Sequence, residues 1–189
     1  MNHNRLDPEI NEYDLIVQAK QGDRQAYGQL VRRHHQGVIN VVYRMCGDAA
    51  VAEDAAQEAF IRAWQHLSKF RPHSSFRNWV YRIATNAAVD MLRKERKVCD
   101  VDIDVLPLTS TQGQPEKQAI RKNRSAQVQA AVLALPPASR SALILREYEG
   151  LSYQEIADTL DIPIGTVMSR LNYARKQLRT ALTPHLEDL

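Results

Sequence analysis

The side chains of residues 164–179 are suited to hydrogen bonding with DNA, and their spacing is that of one helix. On a helix they divide into an apolar stripe and a polar face without carboxylates. The stripe consists of Val167, Leu171, Ala174 and Leu178. The polar face carries Thr166, Ser169, Arg170, Asn172, Tyr173, Arg175, Lys176 and Arg179. Hydroxyl, amide and cationic groups reach base edges and phosphates in the major groove, so this segment is predicted to contact duplex DNA.

A shorter helix is predicted immediately before it, and the two together make a helix-turn-helix. Ser152 and Glu155 have the S-x-x-E spacing of a capping box, which predicts a helix starting at Tyr153. Pro163 lacks a backbone donor and disfavours helix at the preceding residue, which predicts a turn over residues 161–163. A helix-turn-helix lays its second helix in the major groove. The alternative is an ordinary helical hairpin whose basic face is only solvated.

A second candidate nucleic-acid surface lies on the helix predicted over residues 76–97. Residues at three-to-four spacing point inward: Phe76, Val80, Ile83, Ala87 and Met91. The outer face is predicted to carry Arg77, Tyr81, Arg82, Asn86, Arg93 and Lys97, with Trp79 at its edge. Aromatic rings among arginines suit single-stranded nucleic acid, whose bases stack on rings while phosphates meet cations. On these residues alone, Trp79 and Tyr81 are interpreted equally well as half-buried core.

The segment over residues 48–67 has the clearest helical pattern in the chain. Its apolar stripe is wide, and the opposite face carries Glu53, Asp54, Gln57, Glu58, Ile61 and Arg62. An acidic patch beside an apolar residue suits a basic protein partner. Spacing alone favours the simpler interpretation, a solvated face whose acids stabilise the N-terminal half of the helix.

The charge is distributed unevenly along the chain and indicates two domains. Residues 1–97 carry 15 Lys and Arg against 11 Asp and Glu, and residues 119–189 carry nine against seven. Residues 98–118 carry one against four, and their Asp, Pro, Ser, Thr, Gln and Gly content shows no helical period. They are predicted to form a linker, with a strand over residues 101–105 as the alternative.

Four further helices are predicted, over residues 13–20, 25–46, 119–135 and 139–149. The fold class is therefore all-α, with two small helical domains joined by a flexible linker and a helix-turn-helix in the C-terminal one.

Several classes of function are disfavoured by what the sequence contains. No Gly-rich phosphate loop is found, and the adjacent His34 and His35 cannot share one helical face, so an enzyme, a cofactor or a metal site is not expected. The N-terminal residues are polar and acidic, unlike a signal peptide, and no run approaches the ~20 apolar residues of a membrane span. Cys46 and Cys99 do not form a C-x-x-C pair, which favours a reducing compartment and a cytoplasmic location.

Three segments of the chain resemble, in the same order, the motifs of extracytoplasmic-function (ECF) sigma factors of bacterial RNA polymerase. They are DAAVAEDAAQEAFIRAW at 48–64, FRPHSSFRNWVYRIATNAAVDMLRK at 70–94 and LPPASRSALILREYEGLSYQEIADTLDIPIGTVMSRLNYARKQL at 135–178. The resemblance implies a core-polymerase and minus-ten domain over residues 1–97, a linker over 98–118 and a minus-thirty-five domain over 119–189. The other interpretation is an ordinary helix-turn-helix regulator in which residues 1–97 sense a ligand or dimerise.

The resemblance also implies roles for individual residues. The helix bearing Asp54, Gln57, Glu58 and Ile61 would dock on the clamp coiled coil of the polymerase beta-prime subunit. The loop over residues 70–75 and the helix after it would hold the melted minus-ten strand, including a flipped base, through Phe70, Ser74, Ser75, Trp79, Tyr81, Arg82 and Asn86. The minus-thirty-five element would be read by Thr166, Ser169, Arg170, Tyr173, Arg175 and Lys176. Met168 stands where many relatives carry a basic residue, so one phosphate or base contact is not carried over.

The partners that the resemblance implies are core RNA polymerase, promoter DNA and an anti-sigma factor. Most members of the family are held inactive by an anti-sigma factor, often anchored in the membrane. This chain would then be held at the inner membrane without inserting into it. Two small domains on a flexible linker could be wedged apart or clamped together by a partner helix.

Overall fold

The computed structural model describes residues 11–71, 75–98 and 116–183, with side chains for 11–71, 75–92 and 125–183. The regular structure in these ranges is entirely helical, which confirms the all-α fold class. The helices are α1 (Glu12–Lys20), α2 (Arg24–Cys46), α3 (Ala49–His66), α4 (Phe76–Val98), α5 (Glu116–Leu133), α6 (Pro137–Glu147), α7 (Tyr153–Leu160) and α8 (Ile164–Leu182), with a 3-10 turn at Leu67–Lys69.

Caps define the start and end of the first helices, and they lie within two residues of the boundaries predicted from sequence. Asp23 accepts hydrogen bonds from the backbone N–H groups of Gln25 and Ala26 at the start of α2, at 2.7 and 3.2 Å. Gly47 ends α2 in the left-handed conformation, with a φ of 80°. Asp48 then accepts a hydrogen bond from the N–H of Val51 and starts α3. Because α2 and α3 are joined by only two residues, they pack as neighbours.

The first domain consists of α1–α4, and its core lies where α2, α3 and α4 meet. The fully buried side chains on these helices include Leu30, Val38, Val41, Val42, Met45, Ala55, Ala59, Phe76, Val80 and Ala84. Glycine is unfavourable inside a helix, yet α2 is continuous at Gly37. A Cβ atom at this position would lie 2.6 Å from the Tyr81 hydroxyl, so the missing side chain makes room for α4.

The second domain consists of α5–α8, with α8 packed against α5, α6 and α7. Its core includes Ile144, Leu145, Leu151, Ile156, Val167, Leu171 and Ala174. The predicted stripe of α8 is therefore confirmed for Val167, Leu171 and Ala174, and Leu178 packs at its edge. α5 begins at Glu116, and α6 begins at Pro137, which is tolerated in the first turn of a helix.

The two domains pack directly against each other, which the sequence did not predict. The buried Arg140 of α6 donates hydrogen bonds to the backbone carbonyls of Met45, at the end of α2, and of Leu133 and Leu135. The Arg44 guanidinium lies 4.2 Å from the centre of the Tyr148 ring. Because a buried guanidinium must have acceptors, the carbonyls at the end of α2 and α5 fix where α6 sits.

The segment boundaries differ from the predictions at two places. The predicted linker at 98–118 is shorter, because Val98 closes α4 and residues 116–118 open α5. The possible strand at 101–105 and the side chain of Cys99 lie outside the described residues. The loop over residues 70–75 is preceded by the 3-10 turn at Leu67–Lys69, which follows α3 directly.

Candidate functional site

The helix-turn-helix has the local geometry predicted for it. Ser152 accepts a hydrogen bond from the N–H of Glu155 at 3.2 Å, and the Glu155 carboxylate accepts one from the N–H of Ser152 at 2.8 Å. This backbone hydrogen bond is the main reason that the pKa of Glu155 is lowered. Asp161 ends α7 in the left-handed conformation, with a φ of 56°, and Pro163 directly precedes α8. The capping box and this turn therefore set the angle at which α8 is presented.

The outer face of α8 is polar and solvent-exposed over five turns. Its exposed members are Gly165, Met168, Ser169, Asn172, Tyr173, Lys176, Gln177, Arg179 and Thr180. Thr166, Arg170 and Arg175 are only partly exposed. Arg175 donates to Glu147 at 2.8 Å and to the Tyr153 hydroxyl at 3.3 Å, and the bond to Glu147 is the main cause of its raised pKa. Arg175 therefore joins α8 to α6 and α7, whereas Lys176 projects into solvent.

Two apolar side chains stand on the same helix beside these polar groups. Ile164 and Met168 are one turn apart and are 45% and 49% exposed. Neither was assigned a role from the sequence, because the helical pattern alone does not separate an exposed apolar residue from a core one. Apolar groups at the N-terminal part of such a helix can contact the methyl group of thymine.

The predicted single-strand surface of α4 is partly covered by the second domain. Asn86 is exposed and Trp79 is half-buried, as expected. Tyr81 was expected on the outer face, and this was wrong, because its side chain is 2% exposed. Its hydroxyl donates a hydrogen bond to the Glu149 carboxylate at 2.5 Å. The pKa of Tyr81 is raised, mainly by burial and in second place by this hydrogen bond. Arg82 forms an ion pair with Asp161 at 2.6 Å.

The loop before α4 contributes an aromatic cluster to the core. Phe70 is buried, with its ring 5.9 Å from that of Phe76 and 5.2 Å from that of Trp79 between centroids. Ser75 is exposed and caps α4 by accepting from the N–H of Asn78 at 3.2 Å. Ser74 lies outside the described residues. Phe70 therefore supports the position of Trp79 in this arrangement and is not itself accessible to a base.

The face of α3 opposite the core has the residues predicted for a protein-binding surface. Asp54 and Gln57 are exposed, Glu58 is half-buried in an ion pair with Arg62, and Ile61 is 47% exposed. An open groove of about 700 Å³ runs beside them between α2 and α3. It is lined by Arg24, Tyr27, Val31, His35, Glu53, Gln57, Phe60, Ile61 and Trp64. This surface combines an apolar floor with acidic and amide groups at its edge.

The three predicted surfaces do not converge into one site. The α3 surface lies on the first domain, the α8 surface lies on the second, and only the α4 surface touches both. The carboxylates that meet α4, Glu149, Glu155 and Asp161, were not assigned this role from the sequence. Glu155 was identified as a cap, but nothing in the sequence pattern shows that its second oxygen faces another helix.

Metal binding and membrane insertion have no structural support within the described ranges. No cluster of three or more His, Cys, Asp or Glu side chains there could hold a metal ion. His34 instead pairs with Glu12 at 2.8 Å, and His35 stacks on Phe60. None of the helices described has both the length and the apolar composition that a bilayer span requires.

Two family models match the two domains. Sigma-70 region 2 matches residues 30–98, and sigma-70, region 4 matches residues 125–178. Among curated relatives, the RNA polymerase sigma-H factor of Pseudomonas aeruginosa is 36% identical over 186 residues, which cover 94% of this chain and 96% of the relative. The ECF sigma factor SigW of Bacillus subtilis is 35% identical over 88% of this chain and 94% of its own length. The ECF sigma-E factor of Escherichia coli K12 is 32% identical over 95% and 98%.

Solved structures agree with this assignment. The structure of CnrH in complex with the cytosolic domain of CnrY matches with a TM-score of 0.68 and 25% identity, over 92% of this chain and 97% of that one. The sigma factor RpoE of Bartonella quintana, solved with the anti-sigma factor NepR, shares the fold, with a TM-score of 0.65 at 24% identity over 83% and 96%. The region 2 and region 4 matches and the near-full-length relatives show that the chain belongs to the ECF sigma factors of RNA polymerase.

Proposed function

We propose that this chain binds core RNA polymerase, directs it to promoters with a minus-thirty-five and a minus-ten element, and promotes opening of the strands between them. The observation that carries this proposal is the α3 surface, where the exposed Ile61 lies among Asp54, Gln57 and Glu58 beside an apolar groove. An apolar groove flanked by polar groups can accept the apolar face of an amphipathic helix. Within a sigma-70 region 2 domain, the partner that this surface fits is the clamp coiled coil of the beta-prime subunit.

The two DNA elements are assigned to different domains. The exposed face of α8 would read the minus-thirty-five element as duplex through Thr166, Ser169, Arg170, Tyr173, Arg175 and Lys176. Because Arg175 is already held by Glu147, we assign it to positioning α8 and to a phosphate contact. The α4 surface would hold the melted minus-ten strand through Trp79, Arg82 and Asn86, with the residues at 70–75 placing its start. Tyr81 can take part only after its contact with Glu149 is broken.

Control by an anti-sigma factor forms part of the proposal. Two similar structures are complexes, one of CnrH with the cytosolic domain of CnrY and one of the sigma factor RpoE with the anti-sigma factor NepR. By analogy, this chain would be kept inactive by such a partner until a signal or stress releases it to transcribe its regulon. It would act in the cytoplasm, held at the inner membrane where that partner is anchored. It would have no catalytic activity and no cofactor of its own.

The test is co-purification with core RNA polymerase, followed by transcription from genomic DNA. We expect the wild-type chain to form a stable complex with core. Replacing Asp54 and Glu58 with Lys should weaken the complex by about 2–5 kcal/mol if either carboxylate meets a cation that becomes buried. Asp14→Lys is the matched control, because Asp14 is exposed on α1 of the same domain. Unchanged affinity of the double variant in competition gel filtration would reject the α3 surface as the docking site.

A further inference from the structure

One face of α4 is in contact with carboxylates of the second domain. Asn78, Tyr81 and Arg82 are spaced at three and four residues and therefore share one face of the helix. Their donor groups contact Glu155 at 3.4 Å, Glu149 at 2.5 Å and Asp161 at 2.6 Å, respectively. All three contacts join residues that are 68 to 79 positions apart in the chain.

The three carboxylates form one group around α7. Glu149 lies in the turn before this helix, Glu155 in its first turn, and Asp161 at its C-terminal cap. Residues before, within and after α7 therefore present negative oxygen atoms to one turn of α4. These atoms are hydrogen-bond acceptors with the charge of a phosphate, and arginine pairs with either group by the same geometry. The second domain thus offers α4 a row of acceptors like the one that a nucleic acid strand offers.

From these contacts we infer that Glu149, Glu155 and Asp161 act as an internal competitor for the single-stranded DNA surface of α4. This inference rests on the proposed function, which assigns that surface to the melted minus-ten strand. In the arrangement described here, which we call closed, Tyr81 is buried and Arg82 is paired, so a strand cannot reach Tyr81 and has to displace Asp161 to pair with Arg82. The two domains must separate at α7 before the strand binds.

The contact between α4 and the α7 region is weak. The Arg82–Asp161 pair is solvent-exposed, at 42% and 73% of the two side chains, and exposed pairs contribute little to stability. A recess of about 170 Å³ remains between α4 and α7, lined by Ser75, Asn78, Trp79, Arg82, Glu155, Asp158 and Thr159. In it, Asn78 Oδ1 and Thr159 Oγ1 are buried without a hydrogen-bond partner among the described residues. These two atoms make no hydrogen bond to the other domain, so they add nothing to the stability of the closed state.

Three substitutions neutralise the competitor without breaking the local structure. Glu149→Gln preserves side-chain size, and Glu155→Gln preserves the capping box, which accepts Glu or Gln at this position. Asp161→Asn preserves a residue that tolerates a positive φ. Asp14→Asn is the matched control for Asp161→Asn, because it is the same substitution at an exposed carboxylate. Asp14 lies on α1, which packs mainly on α2 and the 3-10 turn and has no assigned role in nucleic-acid binding.

The experiment measures binding of the free full-length chain to a fluorescein-labelled pool of single-stranded oligonucleotides of randomised sequence, at one low salt concentration. Apparent affinity scales with the fraction of open molecules, so the triple variant should bind about tenfold more tightly than wild type. Asp161→Asn alone should bind about threefold more tightly, as expected for an exposed pair, and Asp14→Asn should not differ from wild type. Small-angle X-ray scattering should show a larger radius of gyration for the triple variant only.

Two results would overturn the inference. One is equal affinity of the triple variant and wild type, whether or not the variant is more extended. The other is a gain for Asp14→Asn as large as that for Asp161→Asn, which would reduce the effect to net charge. The proposed function is checked separately by open-complex formation of the wild-type chain with core polymerase, so its failure can be told apart from that of the inference.

Discussion

At the scale of single residues, Tyr81 and Asn86 separate a structural role from a DNA-binding role on the same helix. Tyr81 is buried against α2 and bonded to Glu149, so Tyr81→Ala should lower the free energy of unfolding by about 3–5 kcal/mol. Asn86 is exposed, so Asn86→Ala should change it by less than about 0.5 kcal/mol. Urea unfolding followed by circular dichroism measures both values. A Tyr81→Ala protein as stable as wild type would contradict the burial of the ring.

Asn86→Ala also tests whether Asn86 contacts the melted minus-ten strand. With core polymerase, Asn86→Ala should reduce permanganate reactivity of thymines in the opened promoter while closed-complex binding is kept. At position 81 the comparison uses Tyr81→Phe, because this variant removes only the hydroxyl and keeps the buried ring. The sequence pattern could not place Tyr81 correctly, because its ring lies at the border of the apolar stripe of α4. Its burial depends on the absence of a side chain at Gly37 and on a carboxylate from the other domain.

At the scale of elements, the cap of α7 determines how firmly the helix-turn-helix is held. Ser152→Ala should lower the free energy of unfolding by about 1 kcal/mol, because the N–H of Glu155 loses its acceptor. Ser169→Ala is the control, since it also removes a serine hydroxyl, from the exposed face of α8, and should change stability by less than about 0.5 kcal/mol. Chemical unfolding midpoints compare the two, and equal effects would mean that the cap is not specific.

The capping box should also make the free energy of unfolding depend on pH in the acidic range. The pKa of Glu155 is lowered in the folded chain, mainly by the N–H of Ser152. The contribution of the Glu155 carboxylate to the free energy of unfolding is therefore present above the ordinary pKa of about 4.5. It is lost as the pH falls through the lowered pKa. Glu155→Gln should remove this part of the pH dependence while keeping the helix, as measured by urea midpoints across the acidic range.

Helices were the part of the fold that the sequence predicted best. Sequence reasoning located all eight helices of the described residues, and the capping box placed the first residue of α7 at Tyr153, as found. The C-terminal end of the linker was less accurate, because Glu116, Lys117 and Gln118 are polar and the first apolar residue of α5 is Ala119. Which faces of the two domains meet could not be predicted, since the contacts of Arg82 and Tyr81 with Asp161 and Glu149 are polar and leave no periodic pattern.

At the scale of the whole molecule, we expect the free chain to be a poor reader of a two-element promoter. The closed arrangement covers part of the α4 surface, and free duplex offers it no single strand. As the flexible linker that the sequence predicts, the 17 residues between Val98 and Glu116 would reach only about 20–25 Å on average, whereas one duplex turn is already ~34–36 Å. Affinity for a duplex with both elements should therefore be within about threefold of that for a duplex with the minus-thirty-five element alone.

Fluorescence anisotropy with and without core polymerase, at one salt concentration, measures this difference. Core polymerase should restore discrimination between the two duplexes, because it holds the domains apart and keeps the strands separated. Nanomolar binding of the two-element duplex by the free chain, far tighter than binding of the half promoter, would contradict both the closed arrangement and the argument from linker length.

The distance along the chain between Tyr81 and Glu149 also sets a time interval during synthesis. The two residues are separated by 68 positions, and ribosomes add about 5–20 residues per second. For about 3–14 seconds after Tyr81 has been added, the residue that covers it does not yet exist. A nascent chain whose first domain has folded therefore has its nucleic-acid surface uncovered before it has any means of closing it. Closure is a property that only the finished polypeptide acquires, after its last three helices have left the ribosome.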